Sequence, residues 1–181
     1  MNAIEFEEII LKIADGDKNA LKLIYEEFNY VVYNFALSIL HNEQDASDVS
    51  QEVFIKIWNN ACKFLPGRNY KAWIIEITKN QSIDCLRRKK NKIVTEELDK
   101  LSDVCLIENE AFDEQVINKI RLNQLLSSLT DMEREIIIMH VIGEITYMEI
   151  SHILKISFGK VVWNYKKGIK ILENQVNKLK L

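Results

Sequence analysis

The residues able to do chemistry gather in one stretch, FLPGRNYKAWIIEITKNQSIDCLRRKKNK, residues 64–92. It combines the rings of Phe64, Tyr70 and Trp73 with the amides of Asn69, Asn80 and Gln81, and it closes on a run of cations. Between Ile77 and Lys92, the cations Lys79, Arg87, Arg88, Lys89, Lys90 and Lys92 face a single anion, Asp84. Rings, amides and clustered positive charge suit opened nucleic acid. An unstacked base settles on an aromatic face for roughly 1–3 kcal/mol. Amides read base edges through paired hydrogen bonds, and Lys and Arg neutralise phosphates with release of counterions. The plainer alternative is a basic helix end that complements the helix dipole.

Helices must position these groups. Pro66 and Gly67 force a turn, and Asn69 can cap the helix that follows, which buries Trp73, Ile74 and Ile77. Upstream, Phe6, Ile9, Ile10 and Ile13 recur at helical spacing and stop at Gly16. Asp17 caps a second helix, running to about His41 on a stripe of Leu21, Ile24, Tyr25, Phe28, Val32, Phe35, Ile39 and Leu40. A third helix, from Asp45 to about Lys63, buries Val49, Val53, Phe54, Ile57 and Trp58. Its outer face carries Asp45, Asp48, Gln51 and Glu52, acids that a helix start favours in any case. Residues 95–115 set eight acids against Lys100 alone, which reads as a flexible acidic connector. Ile117, Ile120, Leu122 and Leu125–Leu129 open a new helical core. Two capping boxes follow, Thr130 with Glu133 and Thr146 with Glu149. Ser157 then caps a last helix that carries Val161, Tyr165, Ile169, Leu172, Val176 and Leu179 on one face. Helix, short turn and capped helix is the helix-turn-helix layout, whose last helix enters the major groove. From Lys155 onward seven lysines oppose Glu173 alone, which suits DNA.

The whole chain of 181 residues is 48% hydrophobic and 28% charged, enough apolar matter for a core. Five glycines and one proline disfavour a β-sandwich and favour long helices. A net charge of −3 argues against indiscriminate nucleic-acid binding, so the local segregation of charge carries the reading. Cys62, Cys85 and Cys105 have no metal-ligand spacing and read as reduced thiols. His41, His140 and His152 lack partner ligands. With no metal cluster, nucleophile motif or phosphate loop, the chain is not expected to be an enzyme or to hold a cofactor or metal. No apolar run reaches the ~18 residues of a membrane span, and the acidic amino terminus is no signal peptide. The expected setting is the cytoplasm, without membrane insertion.

Three stretches, in this order, resemble bacterial RNA polymerase sigma factors of the extracytoplasmic-function group: DASDVSQEVF, WIIEITKNQSIDCLRRKK and LTDMEREIIIMHVIGEITYMEISHILKISFGKVV. The resemblance implies an all-α protein. Residues 1–94 would be a helical domain that binds core polymerase and melts promoters, 95–115 the linker, and 116–181 a smaller helix-turn-helix DNA-binding domain. It implies a core-polymerase face at Asp45, Asp48, Gln51, Glu52 and Phe54. It assigns the downstream promoter element and its melting to Phe64, Arg68, Tyr70, Lys71, Trp73, Lys79, Asn80, Asp84, Arg87, Arg88 and Lys89, with a flipped non-template base held by the 64–70 loop and Asn80. Tyr70 and Trp73 would support the strand-separating wedge, although a large ring just inside a helix start also suits core packing. The acidic connector would thread the polymerase channel later taken by RNA.

The upstream promoter element would fall to Ser157, Phe158, Lys160, Val162, Trp163, Lys166, Lys167 and Lys170. Here the chain departs from the family pattern. Lys155 stands where the turn usually has Gly, and Val161-Val162-Trp163-Asn164 replaces a Val-Lys-Ser-Arg start, so an Arg able to grip guanine is missing. The apolar edge of Phe158, Val162 and Trp163 suits either thymine methyls or a docked protein. The partners implied are core RNA polymerase, promoter DNA as duplex and as melted non-template strand, and an anti-sigma factor. An activator or an RNA-guided DNA-binding complex at the C-terminal domain would share promoter choice. The competing readings are a stand-alone helix-turn-helix regulator and an adaptor that reads no DNA.

Overall fold

A computed structural model describes residues 1–95, 126 and 128–179, and the elements along them are helical, without a strand. Helix α1 (Ala3–Ala14) starts on a capping box in which Asn2 Oδ1 accepts from Glu5 N at 2.9 Å. The chain leaves it through Gly16 at φ +90°, a backbone state that glycine tolerates without strain. Helix α2 (Lys18–Leu40) is capped by Asp17, which accepts from Asn19 N at 2.8 Å, and ends on His41 in the left-handed region. Helix α3 (Glu43–Asn60) is capped by Asn42, so it begins two residues before the expected Asp45, and a 3₁₀ turn over Ala61–Lys63 follows it. Helix α4 (Tyr70–Thr95) has Asn69 at its head, whose Oδ1 accepts from Lys71 N at 2.9 Å and Ala72 N at 3.2 Å.

Helices α2, α3 and α4 pack mutually, and α1 lies against α2 and the 3₁₀ turn. Their shared core is Phe6, Ile13, Ile24, Val32, Val53, Ile57 and Ile74, all essentially sealed from solvent. At roughly 1.5–3 kcal/mol per large apolar side chain, this burial is what fixes the direction of α4.

The C-terminal unit is α5 (Asp131–Ile137), α6 (Tyr147–Leu154) and α7 (Phe158–Leu179). Both expected capping boxes form: Thr130 N donates to Glu133 Oε2 at 2.9 Å, and Thr146 N to Glu149 Oε2 at 3.0 Å. The turn into α7 passes through Lys155 at φ +55°, the left-handed position where the family pattern has glycine. Past Ile137, α5 widens into a π turn over Ile138–Ile142, a feature that periodicity does not announce. Of the expected 95–115 connector only Thr95, the last residue of α4, is described; the expected helix start at Ile117 also lies outside the described residues.

The two units meet. Phe35 of α2 and Ile75 of α4 are buried with Ile136, Ile137, Met139, Ile145 and Ile150 of the C-terminal unit rather than with their own bundle. Sequence reading left this arrangement open.

The exit of the π turn requires close backbone approach. A Cβ on Gly143 would sit 2.7 Å from Met139 O, although φ at Gly143 is an ordinary −79°. Gly143→Ala should therefore cost about 1–3 kcal/mol through overpacking. A urea unfolding curve with an unchanged midpoint would contradict that crowding.

Candidate nucleic-acid interface

The rings of the aromatic loop turn inward, Trp73 onto the buried side expected of it. Phe64, Tyr70 and Trp73 are buried. Phe6 stacks on Tyr70 at 4.5 Å between centroids and meets Phe64 edge-on at 5.3 Å, while Phe64 meets Trp73 at 5.1 Å. The Tyr70 hydroxyl donates to Met1 O at 2.7 Å. Their faces are filled by one another, as core packing just inside a helix start leads one to expect for Trp73, so none is offered to a base in this structure. They pin both ends of the 65–69 turn. Outside, Leu65 is 66% exposed beside Pro66. Gly67, at φ +80°, donates its N–H to Glu7 Oε1 at 2.7 Å, and Arg68 pairs with Glu76 at 2.6 Å. Sequence reading missed Leu65. Its signal was an apolar residue beside a Pro-Gly turn, where burial is hard to arrange.

Asn80, Asp84, Arg87, Arg88 and Lys89 all lie exposed along the far half of α4. There the basic and acidic features meet each other. Arg88 pairs with Glu52 at 3.1 Å, Lys89 with Asp45, and Arg87 with Asp84 at 3.6 Å. Gln81 is buried and donates to Glu52 Oε2 at 2.8 Å, while Lys56 donates to Gln81. Exposed ion pairs of this kind contribute about 0–1 kcal/mol each, so a phosphate or a partner's charge can displace them. On α3, Asp48 and Gln51 face solvent. Phe54 does not. It is 5% exposed and packs edge-on to Tyr25 at 4.9 Å, so its placement on a docking face is corrected to the core. Its neighbour Ile55 is 59% exposed instead. Ile55 falls off the stripe of Val49, Val53 and Ile57, which is the signal that could have found it.

Near the start of α4, Lys71 pairs with Glu144, and further along Lys79 donates to Ile153 O. Burial pushes the Lys79 ammonium below its ordinary pKa, against the pull of Glu135. Burial pushes the Glu135 carboxyl up, against the pull of Lys79.

On α7, Ser157 Oγ accepts from Lys160 N at 3.4 Å. Phe158, Lys160, Trp163, Lys166 and Lys170 are exposed, and Val162 is half-buried. Asn164 is buried and donates back to Lys160 O at 2.7 Å, which turns it along its own helix. Lys167 Nζ lies 5.2 Å from the Trp163 ring centre and 2.7 Å from Glu133 Oε1. Its charge is thus engaged with the buried Glu133. Burial would raise the Glu133 carboxyl, but the Lys167 ammonium 2.7 Å away and the hydrogen bond from Thr130 outweigh it and leave the pKa below the ordinary value. Among the described residues there is no cluster of His, Cys, Asp and Glu that could hold a metal, and no helix long and apolar enough to cross a membrane.

The class defined here is a two-part helical protein with a cation-edged long helix and a helix-turn-helix. The family Sigma-70 region 2 matches residues 24–92, from within α2 to near the end of α4. Across 94% of this chain and 96% of the relative, the sequence is 28% identical to the ECF RNA polymerase sigma factor SigW of Bacillus subtilis (strain 168). It is 27% identical to SigM of the same organism over 84% of this chain and 94% of that protein. In shape it is similar to CnrH, solved in complex with the cytosolic domain of CnrY, at a TM-score of 0.65 and 19% identity, over 96% of this chain and 98% of that one. It is also similar to the sigma factor RpoE, solved with the anti-sigma factor NepR from Bartonella quintana, at 0.63 and 20% over 86% and 96%. The resemblance read from the sequence is borne out: residues 24–92 are a sigma-70 region 2 domain, and relatives matching nearly the whole chain are extracytoplasmic-function sigma factors.

The Glu133–Lys167 pair has a pH consequence. A carboxyl whose folded pKa is depressed adds stability above its unfolded pKa, and that stability is lost as pH falls through the folded value. Unfolding midpoints followed from neutral to about pH 3 should show an acid limb that Glu133→Gln flattens. Lys167→Ala, which strands a buried carboxylate, should cost about 1–3 kcal/mol at neutral pH.

Proposed function

We propose that this protein is an initiation factor of the sigma type: it binds core RNA polymerase, carries it to promoters and opens the DNA there. The observation that supports this best is the meeting of an acidic α3 face with the cationic half of α4 inside a sigma-70 region 2 domain, followed by a helix-turn-helix. Asp48, Gln51 and Glu52, with Asp45 beside them, are the groups for core polymerase, since carboxylates at helical spacing pair with Arg on a partner helix and set its register. Arg87, Arg88, Lys89 and Asn80, with Arg68 in the turn and Asp84 on α4, serve the downstream element. Lys71 and Lys79 join them on another face of the same helix. The exposed 65–69 turn lies at the head of α4, where a displaced base could be held.

Extruding a base costs a few kcal/mol, and contacts of 1–3 kcal/mol each offset it without ATP. Catalysis of RNA synthesis then belongs to the polymerase, and this chain acts as a binding subunit in the cytoplasm. Ser157, Phe158, Lys160, Val162, Trp163, Lys166 and Lys170 form the upstream reader. Because that edge lacks the pattern's base-gripping Arg, whose place Asn164 takes, and carries the exposed Trp163 beside it, promoter choice is shared with a partner there, an activator or an RNA-guided DNA-binding complex. An anti-sigma factor is the further partner, as for the RpoE that it resembles.

In vitro transcription with core polymerase on a promoter library tests this. Run-off should depend on the protein and fall about tenfold or more, some 1.4 kcal/mol or greater, with Asn80→Ala or with Arg87 and Arg88 both changed to Ala. Run-off that ignores the protein overturns the reading.

A further inference from the structure

We propose that the outer face of α1 and the 65–69 turn together form a second docking surface for core RNA polymerase, one that receives a basic amphipathic helix. The inference rests on the initiation-factor reading above and adds to it a contact away from α3. Among the described residues, the three most exposed large apolar side chains are Ile4 at 72%, Leu65 at 66% and Leu11 at 63%. Exposed apolar residues scattered singly need no explanation, whereas a cluster of them marks an interface. These three are clustered. Ile4, Glu7 and Leu11 follow at intervals of three and four and so share one side of α1. Glu7 Oε1 accepts the N–H of Gly67 at 2.7 Å, which seats the turn carrying Leu65 against the middle of that stripe. The turn itself is closed by Arg68 N, which donates to Leu65 O at 3.1 Å.

Charge selects the occupant. Residues 1–17 carry Glu5, Glu7, Glu8, Asp15 and Asp17 against Lys12. Glu5, Glu8 and Asp15 are exposed beside the apolar stripe, and a shallow hollow there is lined by Asn2, Ala3, Ile4, Glu5 and Glu8. Such a face repels a phosphate backbone, so DNA is the wrong ligand for it. A helix with apolar residues seven apart and Lys or Arg beside them fits. Ile4 and Leu11 lie about 10 Å apart along the axis, at 1.5 Å per residue, and so match two anchors on a facing helix. Basic groups flanking those anchors pair with Glu8 and Asp15, which fixes the orientation of the partner.

The position of the turn points to core polymerase as the source of that helix. The turn lies at the head of α4, where the reading above holds a displaced base, and whatever sits on α1 sits beside it. Opened DNA is held in the polymerase, so this face is presented to polymerase as well. The face is also pre-organised. Phe6, on the inner side of α1, is wholly buried and stacks on Tyr70, so the helix cannot roll its outer apolar stripe inward. A face fixed in this way binds with little ordering cost. The acids Asp45, Asp48, Gln51 and Glu52 lie on another helix, and two contacts to one polymerase reinforce each other through effective concentration.

The test is core-polymerase binding by the full chain. Ile4→Ser combined with Leu11→Ser should weaken binding about tenfold, the size of a hot-spot loss. Leu65→Ser should weaken it in the same direction. Glu8→Lys should weaken it and reduce its dependence on salt. Leu23→Ser, which changes another exposed leucine on α2 outside this surface, should bind as the wild type does. All these side chains are exposed, so urea midpoints should not move. Benzoylphenylalanine in place of Leu11, irradiated in the complex with core polymerase and a promoter, should crosslink to a polymerase helix that bears Lys or Arg. Equal binding by the Ile4 and Leu11 double variant and Leu23→Ser overturns the proposal. So does a crosslink to DNA, to a second copy of this chain, or to nothing. Run-off independent of the wild-type protein is the separate sign that the initiation-factor reading has failed, and this contact falls with it.

Discussion

The constraint on which the rest depends is the aromatic cluster at the head of α4. Phe6 from α1 is wholly buried and touches Phe28, Phe64, Tyr70 and Trp73. It thereby joins the first helix, the second helix and both ends of the 65–69 turn. Offset and edge-on ring pairs add about 0.5–1.5 kcal/mol each beyond burial, and large rings have few rotamers to lose. The turn is held at a defined place although its own residues, Leu65 to Arg68, are exposed. The rings hold it from beneath, by packing.

Downstream of that anchor, the charges of the N-terminal domain are arranged as weak, exchangeable pairs. Glu52 is the hub: it receives Arg88 from the surface and Gln81 from inside, and Gln81 in turn receives Lys56. Lys89 reaches Asp45 across the same groove. Acid and base on adjacent helices lower each other's field, in a chain whose net charge is −3. Glu133 differs in kind. It is buried, caps its own helix through Thr130, and takes its charge partner from α7. That pair ties α7 to α5, so the Lys167 charge is spent on the fold.

Much of the architecture is legible from periodicity and capping. The Asn69 cap, the two Thr/Glu capping boxes and the stop at Gly16 each depend on residues within four positions of one another, and all form as the local chemistry requires. Errors arise where a residue's side is decided by something distant. The resemblance set Phe54 on a docking face although periodicity put it on the buried stripe, and the ring of Tyr25 from α2 is what it packs against there. Tyr70 lies between the polar Asn69 and Lys71, and only Phe6, more than sixty positions earlier, shows that its face is filled.

Thus the residues alone determined the helices, their boundaries to within a few positions, the division into a bundle and a helix-turn-helix, and the segregation of charge. These follow from hydrogen bonds and apolar spacing that act over one or two turns. Only the tertiary structure decided which aromatics are support and which side chains face outward, that the acids of α3 pair with the bases of α4, and that the stripe of Lys71, Ile75 and Lys79 lies under the C-terminal domain. The reason is that contacts between elements far apart in the chain depend on how whole faces fit. A face carries no local mark of the neighbour that will cover it.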